Sequence, residues 1–422
     1  MKTKILTIQK PLITLLSRVF KAIFVRNKSC CKFLLFIFNF FILSNAYGQQ
    51  TISLKTILDS SVINSPSLKE AEAIIEQQKN LVKSSVNLPS PEILLQNPTG
   101  NFYTLGVQQV FDFPTVYSTQ KKIQRENVKL AQMAKKLTQT DVKYQVSILY
   151  SELQYQYQLL EILQKQDSAY SAIAENADRA FKAGTIDFVQ SGFAKVQAGQ
   201  IKTDLILAQA NYNATIQNLK TLSGIETDFL PEIITPADYT KAILPNDTGI
   251  IENSNMQYAK QQIAINEKRL HLERQKTLPG FTMAYLNQGE RTTPFENRFY
   301  AGLRIPLWFW QYRGNIDAAK NLVEASKYNA AANKLKLSSE IQSSYTKFMA
   351  YQQALDLYKS DILQQATSLT NASNRFFTSG NTSYTDFLRN LNDATEIQKN
   401  YWETVKNYNQ TLTYIHYLTG KL

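Results

Sequence analysis

The sequence has few of the residues that metal sites, disulfides and nucleophilic catalysis require. Among its 422 residues are two cysteines, Cys30 and Cys31, and two histidines, His271 and His416, which lie far apart. Soft and borderline metals are held by clusters of thiolate, thioether or imidazole groups. No phosphate-binding glycine loop, metalloprotease pair or nucleophile elbow is present either. We therefore expect no resident metal, no cofactor and no enzymatic activity.

Acidic residues are absent from the first 48 positions, which carry eight Lys or Arg residues and then the apolar run FLLFIFNFFILSNA. A basic region, an apolar run and small residues such as Ala46 and Gly48 are typical of a secretory signal peptide. We predict one at 1–48, with cleavage near Gln49. A retained membrane anchor is the alternative, but the run is shorter than the ~20 apolar residues that span a bilayer.

Removal of this segment changes the electrostatics of the chain. The formal net charge falls from +12 to +4, because the segment carries eight basic and no acidic residues. So small a charge argues against nucleic acid as a partner. Both cysteines leave with the segment, and a chain without thiols suits an oxidising compartment.

Glycine and proline are missing from two long stretches, 115–183 and 315–379. Because these residues are the main helix breakers, each stretch predicts a long helix. A helix over 115–177 would span roughly 95 Å. The first stretch carries apolar residues at spacings of four and three, namely Val142, Val146, Leu149, Leu153, Leu160 and Leu163. Such a pattern indicates a coiled-coil seam or, equally, the core of a helix bundle.

The chain also contains an internal tandem repeat. Three landmarks recur 196 positions apart, namely Gly106 and Gly302, Gly184 and Gly380, and Leu222-Ser223-Gly224 and Leu418-Thr419-Gly420. We predict a first repeat over 49–224 and a second over 248–422. The region between them, 225–247, contains three prolines and is predicted to be an irregular linker.

Each repeat is predicted to hold the same elements in the same order. A shorter helix (68–87 or 256–277) precedes two strands, at about 91–97 and 102–113 or at about 280–288 and 298–308. The long helix follows and ends in a tight turn, FKAGTIDF at 181–188 or FTSGNTSY at 377–384. A return helix then closes each repeat.

The second strand of each pair alternates between apolar and other residues. The apolar positions are Tyr103, Leu105, Val107, Phe111 and Phe113 in the first repeat, and Phe299, Ala301, Leu303, Ile305 and Leu307 in the second. This period fits a transmembrane barrel strand or, equally, a half-buried hairpin of a soluble protein. If the strands cross a membrane, the chain must oligomerise, because four strands cannot close a barrel.

These features together resemble the TolC family of outer-membrane efflux proteins over essentially the whole mature chain. The resemblance is carried by ISLKTILDSSVINSPSLKEAEAIIEQQK, RAFKAGTIDF and RFFTSGNTSY. VQQVFDFPTVYSTQ and RIPLWFWQYRGNIDAAK are similar to the heavy-metal efflux subset of Bacteroidetes. The resemblance implies a mainly α fold with a small β part, in which long α-helical coiled-coil hairpins carry four transmembrane strands per protomer. It further implies a homotrimer, with a twelve-stranded barrel in the outer membrane of a Gram-negative bacterium and a helical periplasmic tunnel below.

The resemblance also implies partners and a function. A periplasmic adaptor and an inner-membrane pump of the RND type would supply substrate, and the chain would be a passive exit duct for heavy-metal cations. Drug efflux and type I protein secretion are alternatives within the same fold. A periplasmic coiled-coil scaffold without a pore is the alternative from another class.

Site residues follow from the same resemblance. The turns would be adaptor-docking tips, with Arg179, Phe181, Gly184, Asp187, Arg375, Phe377 and Gly380. Asp386 occupies what looks like the place of the family's acidic pore constriction, against the simpler role of a solvated aspartate. Arg298 and Arg304 are predicted to face the barrel lumen. Trp308, Phe309 and Trp310 are predicted to close the fourth strand at the membrane interface, or else to form a core aromatic cluster.

Overall fold

The computed structural model describes residues 50–96, 104–237, 253–288, 292 and 294–422. The predicted signal peptide, both cysteines, Tyr103 and the linker residues 238–247 lie outside these ranges. Within them the chain is mainly α-helical with short strands, which confirms the predicted mainly α class.

The described residues form eight α-helices and six strands. The helices are α1 Leu54–Asn64, α2 Pro66–Lys83, α3 Pro114–Lys182, α4 Phe188–Ser223, α5 Ser254–Gln275, α6 Phe309–Leu357, α7 Leu363–Thr378 and α8 Tyr384–Leu418. The strands are β1 Gln50–Ile52, β2 Glu92–Gln96, β3 Thr104–Phe111, β4 Phe229–Pro231, β5 Gly280–Leu286 and β6 Phe299–Arg304. A 3₁₀ turn covers Phe295–Arg298, and a π-turn covers Tyr358–Ile362.

The helix α3 runs for 69 residues without a break, about 100 Å at the usual rise. Pro114 occupies its first turn, where a missing N–H is tolerated. The corresponding stretch of the second repeat is not one α-helix, because the π-turn separates α6 from α7. The helix predicted at 68–87 is also different. It begins at Pro66, directly after the shorter α1, and ends at Lys83.

Four of the six residues of the predicted seam of α3 lie in the core, and Val142 and Leu149 are partly buried. Val146 and Leu153 are fully buried, and Leu160 and Leu163 nearly so. Burial of one such side chain contributes about 1.5–3 kcal/mol. Since α3 packs against α1, α2, α4, α5 and α8, its apolar residues belong to a core shared by several helices.

Shorter helices meet end to end beside the long ones. Asn64, the last residue of α1, donates from Nδ2 to the Ser223 carbonyl at the end of α4, over 2.8 Å. Asn253, the N-cap of α5, donates from Nδ2 to the Leu418 carbonyl of α8, over 2.9 Å. Each return helix thus has a terminal carbonyl satisfied by the neighbouring short helix.

Four strands form one antiparallel sheet in the order β2-β3-β5-β6. The pairs β2–β3 and β5–β6 are the hairpins of the two repeats, and β3 pairs with β5 across the repeats. A separate sheet of β1 and β4 was not predicted.

The structure corrects the prediction for the aromatic cluster after the fourth strand. Strand β6 ends at Arg304, Trp308 is the N-cap residue of α6, and Phe309 and Trp310 begin that helix. Pro306 lies between the strand and the helix and lacks the N–H that a strand ladder needs. These aromatic residues therefore start a helix and do not close a strand. Arg298 lies in the 3₁₀ turn before β6.

No helix among the described residues combines the length and the apolar character needed to cross a membrane.

Candidate functional site: two hairpin tips and a sheet with one apolar face

The two predicted tips have the same backbone. In the first, the N–H of Gly184 bonds to Phe181 O at 2.9 Å and the N–H of Thr185 bonds to Ala180 O at 2.9 Å. In the second, Gly380 bonds to Phe377 O and Asn381 bonds to Phe376 O. This is the Schellman motif, which places its C′ residue in the left-handed region.

Glycine meets the conformational demand of both turns. The φ angles are +73° at Gly184 and +75° at Gly380, a region that disfavours other residues. A Cβ built on either glycine has no atom within 4 Å. The requirement for glycine here therefore comes from the backbone angle and not from crowding.

The return helices begin with equivalent side-chain caps. Asp187 accepts a bond from the N–H of Gln190 at 2.8 Å, and Ser383 accepts one from the N–H of Asp386 at 3.1 Å. Ser383 lies 196 positions after Asp187, so it and not Asp386 is the counterpart of Asp187. The carboxylate of Asp386 is exposed and accepts a bond from the Ser383 hydroxyl at 2.8 Å. Ser383 is thus the N-cap of α8, and its hydroxyl also bonds the Asp386 side chain.

The aromatic residues of the two tips are oriented differently. Phe377 stacks on Phe387 with ring centroids 4.2 Å apart and contacts Tyr384 at 4.8 Å. Its neighbour Phe376 is 55% exposed. In the first tip Phe181 contacts Phe188 edge-on at 5.9 Å.

Phe188 and Val189 are 70% and 73% exposed. The apolar surface of the tips therefore comes from Phe376, Phe188 and Val189, which the sequence analysis did not select. Of the predicted phenylalanines, Phe181 is partly exposed and Phe377 faces α8.

The two arginines predicted at the tips each lie near the end of their own helix. Arg179 donates from its guanidinium to Asn176 Oδ1, one turn back on α3. Arg375 occupies the last turn of α7, where a cation is favoured by the helix dipole.

Asp178 on α3 forms ion pairs with Lys182 at 2.6 Å and with Lys195 of α4 at 2.5 Å. Hydrogen bonds from Lys182 and Lys195 lower the pKa of Asp178 to about 2.

The structure brings the two tips together. Tyr170 is fully buried, and its hydroxyl donates to the Leu388 carbonyl of α8 at 3.2 Å. One apolar cluster joins α3, α4 and α8, with Ala177, Ala194 and Ile201 beside Leu388. Burial raises the pKa of Tyr170 to about 12, so its hydroxyl keeps this donor over the physiological range. The first turns of α8 are thereby held against the first hairpin.

The four-stranded sheet has one almost wholly apolar face. Its register aligns Ile93 with Val107, Val107 with Tyr285, and Tyr285 with Phe299 across the strands. Alternate residues of all strands share this face, namely Ile93, Leu95, Leu105, Val107, Gln109, Phe111, Phe281, Met283, Tyr285, Phe299, Ala301 and Leu303. Gln109 is its single polar member. Several of its side chains are more than half exposed, among them Ile93 at 76% and Leu303 at 65%.

The opposite face is mixed and carries charge. Arg304 lies across from Gly280 on this face and pairs with Asp112 at 2.5 Å. The guanidinium of Arg298 donates to Asn287 Oδ1. Gln108 and Thr282 lie on the same face as Arg304. The alternation predicted from sequence therefore separates an apolar face from a mixed one across all four strands.

The described chain also has a groove outside the tips and the four-stranded sheet. A groove of about 770 Å³ lies between α5, α6 and the end of α8, lined by Met256, Asn266, Glu340 and Tyr414 among others. It contains none of the predicted site residues. Within the described ranges, no three His, Cys, Asp or Glu side chains come together as a possible metal site.

Part of the chain matches a known protein family in sequence. Residues 248–421 match the family model "Outer membrane efflux protein", a range that is less than half of the chain. No curated protein matches the chain in sequence.

Solved structures match over nearly the whole chain. The CmeC outer membrane channel of Campylobacter jejuni has a TM-score of 0.75 at 14% identity, covering 87% of this chain and 85% of CmeC. CusC, described with transmembrane channel formation, has a TM-score of 0.72 at 14% identity, covering 87% and 92%. The outer membrane protein VceC of Vibrio cholerae has a TM-score of 0.71 at 14% identity, covering 87% and 96%. The chain therefore has the fold of these TolC-like channels, as its motifs predicted.

Proposed function

We propose that the chain is an outer-membrane exit channel of an efflux system. It works as a homotrimer whose strands close a twelve-stranded barrel and whose helices form a periplasmic tunnel. An RND-type inner-membrane pump and a periplasmic adaptor deliver the substrate to the tips, and the channel itself carries out no chemistry. Heavy-metal cations are the proposed cargo.

The exposed apolar face of the four-stranded sheet is the observation that supports this proposal most. Its apolar face is exposed along all four strands, including Leu105, Met283 and Phe299 at 55% or more. A soluble hairpin would bury such a face, whereas a barrel strand turns it toward lipid. The mixed face with Arg304 and Asp112 then lines a polar lumen.

Association with further copies follows from the edges of this sheet, and the number three comes from the resemblance. Among the described strands, β2 and β6 each have only one neighbour in the sheet. Lipid does not tolerate unsatisfied backbone N–H and C=O groups, so both edges must pair. If β6 of one copy pairs with β2 of the next, three copies close a barrel of twelve strands.

Two adjacent residues of β3 test which face meets lipid. Val107 belongs to the apolar face and Gln108 to the mixed one. Val107→Arg is expected to destabilise the membrane-inserted protein by about 2–4 kcal/mol, because it places a charge toward the bilayer. Outer-membrane fractionation and heat-sensitive trimer bands on a gel measure the result.

Gln108→Arg is the matched control, since it adds the same side chain on the lumen side. It is expected to preserve the trimer and to alter ion conductance in a planar bilayer. If both variants stay water-soluble without detergent and conduct no ions, the chain is a periplasmic scaffold and not a channel.

The cargo is proposed from the resemblance of 107–120 and 304–320 to the heavy-metal subset. No cluster of metal ligands is needed in the duct, because selection by the pump leaves the exit only weakly interacting. Deletion of the gene is expected to sensitise cells to one or two of copper, silver, zinc, cobalt, nickel and cadmium, with the metal retained in the cells. Sensitivity to organic drugs alone would assign the chain to drug efflux, and a lost secreted protein would assign it to type I secretion.

The tips are proposed to dock the adaptor, with Asp386 as the constriction. Its exposed carboxylate lies in the first turn of α8, where three copies around the trimer axis would attract cations. Asp386→Asn is expected to reduce cation preference in bilayer recordings. Ser383→Ala, which removes the partner of this carboxylate but keeps its charge, is expected to leave that preference unchanged. Equal selectivity in wild type and Asp386→Asn would remove Asp386 from the pore.

A further inference from the structure

The helix leading to the second tip is interrupted where its counterpart in the first repeat is continuous. The π-turn Tyr358–Ile362 is closed by a bond from the N–H of Leu363 to Tyr358 O. Such a turn holds one residue more than an α-helical turn and often marks a functional position. None of its five residues is buried.

The buried positions of the two repeats locate this extra residue. Before the π-turn the spacing between repeats is 195, since Ile341, Phe348 and Leu355 are the buried counterparts of the buried Val146, Leu153 and Leu160. After it the spacing is 196, since Ala366 and Ser373 correspond to Tyr170 and Ala177. The second repeat therefore carries one additional residue between Leu355 and Ala366, and the π-turn absorbs it.

A straight helix would turn other residues of α7 toward α8. The spacing of four and three that ends at Phe348 and Leu355 continues through positions 362, 365, 369, 372 and 376. Leu369 and Phe376 lie on that continued seam, yet they are 38% and 55% exposed. The two registers differ by one residue, a rotation of about 100°.

In both registers α7 has a phenylalanine at the position that stacks on Phe387. Phe377 now stacks on Phe387 at 4.2 Å. Rotation by one residue would bring its neighbour Phe376 to that place. The first tip has only one such ring, because the counterpart of Phe376 is Ala180.

The packing of α7 is weak enough for a change of register. Of all helices, α7 has substantial contact only with α8 among the described residues, and the residues it buries there, Ala366 and Ser373, are small. In contrast, α6 is anchored through Phe348 and Leu355 in an apolar cluster with α8.

We propose that α7 exchanges between two registers. In one, the π-turn is present and Ser373 and Phe377 face α8. In the other, the helix is straight, Leu369 and Phe376 face α8, and the additional residue moves into the tip turn. That turn can accept it, since no atom lies within 4 Å of a Cβ at Gly380. The exchange changes which apolar side chains the second tip displays, and it does not depend on the proposed channel function.

Single cysteines introduced at neighbouring positions of α7 can report its register. The full chain is used, with Cys30 and Cys31 changed to serine. In the first repeat Ala177→Cys, a buried position on the continuous α3, is the matched reference for Ser373→Cys. Maleimide is expected to label Ser373→Cys several-fold faster than Ala177→Cys. It is expected to label Ala372→Cys, at an exposed position, at a reduced rate, because the second register buries that position for part of the time.

Deletion of Ser360 removes the additional residue and fixes the first register. It is expected to reduce labelling of Ser373→Cys to the level of Ala177→Cys and to increase the labelling rate of Ala372→Cys. Ser360→Ala keeps the chain length and should behave as wild type. If the deletion variant does not fold, the wild-type rates decide by themselves. Equal protection of Ser373→Cys and Ala177→Cys overturns the proposal, as does a labelling rate of Ala372→Cys that the deletion leaves unchanged, which indicates fraying.

Discussion

The first repeat reaches its tip along one helix of 69 residues, whereas the second needs α6, a π-turn and α7. Both nevertheless end in the same Schellman turn, at Gly184 and Gly380. The reversal of the chain is thus the shared feature, and the packing along the helices is where the repeats differ. The turn depends on one backbone angle, so it is the same in both repeats even though the helix that leads to it has one residue more in the second.

The strand glycines give the sharpest difference between the repeats. Gly106 and Gly302 correspond at the spacing of 196, but their surroundings are unlike. A Cβ on Gly106 would overlap Leu286 Cδ2 and lie 2.8 Å from Tyr285 O. At Gly302 the nearest atom is Thr282 Cβ at 3.8 Å.

Gly106→Ala is therefore expected to destabilise the protein more than Gly302→Ala does. Because a backbone oxygen must move, the substitution should cost about 1–3 kcal/mol. Gly302→Ala should stay within about 0.5 kcal/mol. Thermal unfolding of the detergent-solubilised protein measures both. A larger loss for Gly302→Ala would reverse the comparison and show that a second chain covers β6.

Valine at the tips tests whether the two turns are equivalent. Gly184→Val and Gly380→Val should each destabilise the local turn by about 1–2 kcal/mol, because both positions require a positive φ. Asparagine tolerates that region and is the matched control. Hydrogen exchange of the tip amides measures the loss. If valine and asparagine behave alike at one tip, that turn has another conformation in solution.

Much of this architecture is predictable because it depends on local chemistry. The absence of Gly and Pro over 115–183 predicted a long helix, and α3 begins one residue before the predicted helix of 115–177 and continues five residues past it. Strand alternation predicted a sheet with distinct faces. The spacing of 196, applied to Asp187, would also have identified Ser383 as a cap.

Other features leave little trace in a single sequence. The π-turn adds one residue, but α6 also begins only 195 positions after α3. These two changes cancel between Gly302 and Gly380, so the landmarks hide them. The sequence also does not say which of Phe376 and Phe377 faces α8, because that choice depends on the register of the whole helix.

A buried amide distinguishes the first repeat at the level of the π-turn. Gln166 is 5% exposed, and neither its Oε1 nor its Nε2 has a hydrogen-bond partner among the described residues. Its counterpart at the spacing of 196 is Ile362, in the π-turn.

Gln166→Leu should raise the free energy of unfolding by about 1 kcal/mol, since it removes an unsatisfied buried group. Gln154→Leu is the control and should not stabilise, because Gln154 donates to Glu232 O at 2.9 Å. Equal denaturant midpoints for Gln166→Leu and wild type would mean that the amide of Gln166 has a partner in solution.

The arms of the two hairpins are held together by different interactions, and only the interaction in the first hairpin depends on pH. Asp178 pairs with Lys195 across the first hairpin, whereas Phe377 stacks on Phe387 across the second. Hydrogen bonds from Lys182 and Lys195 lower the pKa of Asp178 from 3.8 to about 2. A lowered pKa gives stability that is present above the ordinary value and is lost as the pH falls through the folded one.

Asp178→Asn should therefore loosen the first tip slightly at pH 5–7 and lose most of this effect by pH 2, where the carboxylate of wild type is becoming protonated. Phe377→Leu should loosen the second tip equally at both pH values. Exchange of amides near each tip measures this smallest effect, and a pH-independent loss in Asp178→Asn would assign it to packing instead of charge.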